Sequence, residues 1–134
     1  MKNANAKESK MTTQERREEL AFYVRLAKKY YDDARAKFLA DIQTNPITAI
    51  TWSAETMVKA QTDHEVWLRI EAELAEHEPR EVLTENLKEV QYRIRSFFGS
   101  NSTGMFSNAV ERARAEAYIR QAEQLEGLIK HFES

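Results

Sequence analysis

PREVLTENLKEVQYRIRSFFG, residues 79–99, is the stretch whose reading decides the fold. Pro79 suits the first turn of a helix, where its missing N–H would have had no partner, and Gly99 suits the position just past the end. Between them Leu83, Leu87, Val90, Ile94 and Phe97 recur at spacings of four, three, four and three. The spacing puts these side chains on one helix face, a seam that other helices must cover.

Composition makes the same demand of the rest of the chain. Three Gly and two Pro in 134 residues leave little material for hairpins, and the strong helix formers dominate. The length suits one domain with a real core, and 42% apolar content is globular. The absence of cysteine excludes disulfides, thiolate metal sites and cysteine nucleophiles. The N-terminal residues carry charge without an apolar run, so they do not read as a secretory signal, and no stretch reaches the length of a membrane span. A cytoplasmic protein is the default expectation. The net charge of −2 argues against a protein built around phosphate contacts. It is unevenly spread: residues 1–45 carry ten Lys/Arg against seven Asp/Glu, and residues 46–79 two against seven.

Outward from the seam, residues 1–11 read as a mobile polar tail and 12–134 as a single helical domain. Thr12 and Glu15 have capping-box spacing, which predicts a first helix from about residue 13 to about 42. Its stripe is Leu20, Val24, Ala27, Tyr31, Ala34, Phe38 and Ile42, widened by Tyr23 and Tyr30. Phe22 and Leu26 fall on another face. Asn45 and Pro46 form the next cap and first-turn pair, opening a helix to Glu78. Ile47, Ile50, Ala54, Met57 and Val58 make one of its stripes; Val66, Trp67, Ile70 and Leu74 make a second, rotated one. Thr62 and Glu65 repeat the capping spacing between the two, so this helix either breaks or kinks near residue 61 or runs on and meets different neighbours at its ends. A Gly/Ser/Asn loop over 99–104 follows the seam. Asn108 and Glu111 then predict a last helix from about residue 109, with Ala109, Ala113, Ala115 and Ala117 permitting close approach and Tyr118, Ala122, Leu125, Ile129 and Phe132 continuing the stripe. Four helices on short loops predict an all-α, antiparallel up-down four-helix bundle, with oligomerisation open.

No motif spells out a reaction. Gly99 and Gly104 have P-loop spacing, but Met105 and Phe106 stand where Lys and Ser/Thr are needed, and the loop follows a helix. It reads as a linker. His64, His77 and His131 lack the spacing of a bundle metal site, and Glu71, Glu73, Glu76 and Glu78 read as a solvated acidic end. Trp67 lies on an apolar stripe and reads as core; Trp52 lies off its stripe and reads as an anchor for a partner. Arg93 and Arg95 near the end of the third helix, with Arg112 and Arg114 at the start of the fourth, come to one end of an antiparallel pair. They are either salt-bridged within their helices, as Arg93 to Glu89 and Arg114 to Glu111, or an anion or nucleic-acid contact.

With no chemistry in the motifs and apolar residues on more than one face (Phe22, Leu26, Trp52, Tyr92), the sequence points to a small non-enzymatic helical interaction protein. It would act as an adaptor, assembly factor or inhibitor, docking a helix face on a protein partner or on its own copy. The alternative is a nucleic-acid-binding accessory protein using Arg93, Arg95, Arg112 and Arg114. Neither reading calls for a catalytic residue, cofactor, metal, membrane or small-molecule substrate.

Overall fold

A computed structural model describes residues 11–100 and 109–133, all of them in helices apart from short turns. The protein is an all-α bundle of four helices. Helix α1 is Thr13–Thr44. Helix α2 covers 46–74 in three continuous parts: an α turn at Pro46–Thr48, a π turn at Ala49–Ser53 and an α-helix at Ala54–Leu74. Helices α3 and α4 are Pro79–Ser100 and Ala109–Glu133.

The helix starts follow from local chemistry. Thr12 and Glu15 form a reciprocal capping box, each side chain bonded to the other's backbone N–H at 3.0 Å. Asn45 stops α1 and accepts the Thr48 N–H at 3.3 Å, with Pro46 at the first position of α2. The helix ends are held by side chains from elsewhere. Arg17 of α1 donates to the Leu74 carbonyl and, at 3.1 Å, to that of His77; Arg16 donates to the Phe132 carbonyl with its guanidinium 5.5 Å over the Phe132 ring. Cations thus meet carbonyls at the negative ends of α2 and α4. With those carbonyls claimed, α2 ends at Leu74 and not at Glu78.

Tyr23 stacks on Trp67, Tyr31 on His64, and Asp41 accepts from Ser53, so α1 and α2 run antiparallel. Arg80 pairs with Glu133 and Phe97 meets Tyr118, so α3 and α4 do too. The two hairpins join mainly through α2 and α4. The core between them contains Leu20, Val24, Val66, Trp67, Ile70, Leu83, Val90, Tyr118, Leu125 and Phe132. Leu87, Ile94 and Phe97 of the organising seam pack against it half-buried, and Met11 does likewise. Residues 1–10 of the expected tail, and the Gly/Ser/Asn loop and Asn108 cap within 101–108, lie outside the described residues.

Several expectations are corrected. Of the two readings near residue 61 the continuous helix holds: Thr62 is buried inside it, and its hydroxyl bonds back to the Val58 carbonyl at 2.8 Å. The irregularity lies earlier, in the π turn, where the Ala54 N–H reaches the Ala49 carbonyl five residues back. The wider turn rotates the residues before it relative to those after it. Ala49 and Ser53 are buried, while Ile47 and Ile50, expected on an apolar stripe with Ala54, Met57 and Val58, are 76% and 75% exposed. Tyr30 and Ile42 are exposed at the edge of the α1 stripe, and past Ala27 no residue of α1 is buried. In α4 it is Leu128 that is buried, with Ile129 half-buried beside it. Helix α3 runs through Gly99 to Ser100, so Gly99 does not end it.

Candidate functional site

The first candidate surface grows out of the π turn. Beyond Ala27 α1 rests on α2 along one side, through Tyr31 on His64 (ring centroids 5.4 Å apart) and Asp41 with Ser53. The buried Ser53 hydroxyl holds the Asp41 carboxyl below its usual range, with Lys37 at 3.3 Å helping. The outside of this two-helix arm carries Leu39, Ile42, Ile47, Ile50 and Trp52, all exposed, with Trp52 at 68%. Such a concentration of large apolar side chains in 39–52 differs from the scattered exposed residues of an ordinary surface. Charges on the arm are largely paired: Lys28 to Asp32, Lys29 to Asp33 and Lys37 to Asp41 within α1, and Lys59 to Glu55 within α2 and to Glu116 of α4, at 2.8–3.3 Å.

Of the other apolar candidates, Phe22 is exposed and edge-on to Tyr23 with ring centroids 5.6 Å apart, Tyr92 is exposed, and Leu26 is half-buried. Trp52 joins the arm surface; Phe22, Leu26 and Tyr92 do not lie in that stretch.

The second candidate is a small cleft of about 150 Å³ lined by Glu65, Val66, Arg69, Arg93, Arg114 and Tyr118. The Arg93 guanidinium lies 5.8 Å over the Tyr118 ring and its Nε donates to Glu89 at 3.1 Å; Arg114 donates to the Tyr118 hydroxyl at 3.4 Å. Two of the four arginines singled out in the sequence therefore converge. Arg95 and Arg112 are exposed and do not line the cleft. The structure adds Arg69, whose position beside Trp67 and Ile70 in an apolar stripe was the one available signal. Its Nε donates to Asn86 Oδ1 at 2.9 Å, and its Nη2 is shut off from solvent with no hydrogen-bond partner among the described residues.

A third feature had no sequence signal beyond its place in a polar run. Asp63 sits in a groove of about 630 Å³ between α1, α2 and α4, with Tyr30, Lys37, Lys59 and Arg120 among its walls. Burial pushes its carboxyl up to about 6, against the opposing pull of Arg120. Its Oδ1 is buried without a partner among the described residues, and the buried Gln121 side chain donates to its backbone carbonyl at 3.3 Å.

Among the described residues no three or more His, Cys, Asp and Glu side chains group as metal ligands, and no helix is long and apolar enough to cross a membrane. Glu73, expected in a solvated acidic end, instead accepts from the buried Asn86 at 2.8 Å. No family model, curated protein or solved structure matches the chain.

Proposed function

We propose that this chain is a non-enzymatic helical interaction protein that docks through the α1–α2 arm, and that the surface it docks on is the same arm of a second copy. The observation that carries the reading is the exposure of Leu39, Ile42, Ile47, Ile50 and Trp52 together on a two-helix arm whose partner-free side has no covering helix among the described residues. An amphipathic helix pair covered on one side is half of a four-helix bundle, and two copies related by a two-fold axis would complete it. Each apolar side chain would then meet an apolar side chain without requiring a separately matched partner. The arm does not oppose this electrostatically. Its i,i+4 pairs leave 28–60 nearly neutral, with five basic residues against four acidic ones. Asp63, the one carboxyl pushed well up among the described residues, has no hydrogen bond from any described side chain, whereas a catalytic acid or base is ordinarily oriented by one.

The test is the mass of the protein in solution against concentration, for the wild type and for the double variant Ile47→Glu with Ile50→Glu. The wild type is expected to approach twice the chain mass as concentration rises through the micromolar range. The variant is expected to stay at one chain mass with an unchanged helical spectrum, because both side chains face solvent in the single chain.

A further inference from the structure

The cleft between α2, α3 and α4 has a chemistry that the docking arm does not use. Three arginines, Arg69, Arg93 and Arg114, line a space of about 150 Å³ together with Tyr118, Val66 and Glu65. Arginine stays protonated in any protein environment, so a guanidinium N–H buried without an acceptor cannot be relieved by losing its proton. Arg69 is in that position. Its Nε is fixed by Asn86, which is itself 1% exposed and anchored by donating to Glu73 and to the Val82 carbonyl, both at 2.8 Å. The guanidinium plane is therefore set, and Nη2 is left buried and without an acceptor among the described residues. Leaving such a donor unpaired is costly, and an oxygen-rich anion brought within its reach would remove the cost.

The other two arginines are held in a way that keeps donors available. Arg93 uses Nε on Glu89 and holds its guanidinium carbon 5.8 Å over the Tyr118 ring; Arg114 uses one terminal nitrogen on the Tyr118 hydroxyl. Glu65 is the carboxylate in the cleft wall, exposed and in no ion pair among the described residues. The adjoining cleft, which Arg69 also lines, is walled by Glu73, Glu85 and Glu89 and is the wrong sign for an anion.

We infer that the Arg69, Arg93 and Arg114 cleft binds a single phosphate group, either as the free ion or carried on a small monoester. Three forked donors suit the several oxygens of a tetrahedral phosphate better than the two of a carboxylate. A cleft of about 150 Å³ is of a size for one such group.

The full chain is titrated with inorganic phosphate and with O-phosphoserine, followed by isothermal calorimetry, with ionic strength held constant by chloride. Saturable one-to-one binding of inorganic phosphate is expected. Uptake of phosphoserine as well identifies a site open to a monoester; exclusion of phosphoserine identifies a free-ion site. Arg114→Gln is expected to weaken binding by about tenfold or more, the loss of one charge-assisted contact. Glu65→Gln removes an exposed like charge without touching the core and is expected to tighten binding several-fold. Absence of saturable binding of either probe by the wild type, equal affinity in folded Arg114→Gln, or unchanged affinity in Glu65→Gln overturns the assignment.

Discussion

Arg69 of α2 and Asn86 of α3 are joined across the second interhelical turn by a hydrogen bond of 2.9 Å from Nε to Oδ1, and Asn86 returns its own amide to Glu73 and to the Val82 carbonyl. One buried amide therefore fixes the cation at the wall of the phosphate cleft and ties α2 to α3, which otherwise touch little. Asn86→Ala leaves Arg69 Nε and the Glu73 carboxylate without their partner in a partly buried place. It is expected to cost about 2–3 kcal/mol in urea unfolding, the range for stranding buried polar and charged groups. A loss within about 0.5 kcal/mol would mean that water replaces the amide freely.

The core and the arm predict opposite responses to the same kind of truncation. Leu83 is fully buried in the seam of α3, so Leu83→Ala should cost about 2–5 kcal/mol. Ile47→Ala, at a residue 76% exposed in the single chain, should fall within about 0.5 kcal/mol when measured on the dilute, monomeric protein. A large loss at Ile47 under those conditions would place it in the core of its own chain.

Asp63 makes a pH-dependent prediction. Its carboxyl titrates near 3.9 in an unfolded chain and is pushed up to about 6 in the fold, so the folded state holds the proton more tightly. The associated stability is present below about pH 4 and is lost as pH rises through about 6. Asp63→Asn keeps the neutral form at every pH. It should match the wild type near pH 4 and exceed it at pH 7.5 by roughly 1–3 kcal/mol. Asp32, Asp41 and Glu116, held below their usual range by neighbouring hydrogen bonds, move stability in the opposite sense. The comparison is therefore between the two proteins at each pH. Equal stabilities at pH 7.5 would contradict a carboxyl made costly by burial.

What could be read from the sequence was what neighbours in the chain decide. The Thr12 and Glu15 box and the Asn45 and Pro46 start are each settled within three or four residues, and the stripe of Val66, Trp67, Ile70 and Leu74 runs at an undisturbed helical period. Ile47 and Ile50 misled because a π turn has no residue signature: one extra residue in the turn takes them off the face that Ala54, Met57 and Val58 keep half-buried. Arg93 and Arg114 could be paired by assuming an antiparallel hairpin. Arg69 joins them from a third helix through a buried asparagine, a relation that exists only once α2, α3 and α4 are packed. Asp63 is likewise ordinary until α1 and α4 close over it.

The claim that the arm is a docking surface for its own copy is tested most directly by Trp52. Trp67 is 2% exposed and stacked on Tyr23, so Trp67→Phe leaves Trp52 as the only indole while keeping an aromatic ring in the core. In that variant the emission of Trp52 is recorded from sub-micromolar to several hundred micromolar protein, with mass by light scattering on the same samples. Pairing of the arms predicts a blue shift of Trp52 that rises with concentration in step with a doubling of mass, both abolished by Ile47→Glu with Ile50→Glu. A Trp52 spectrum that stays fully solvent-like while the mass remains that of one chain across the whole range would contradict it.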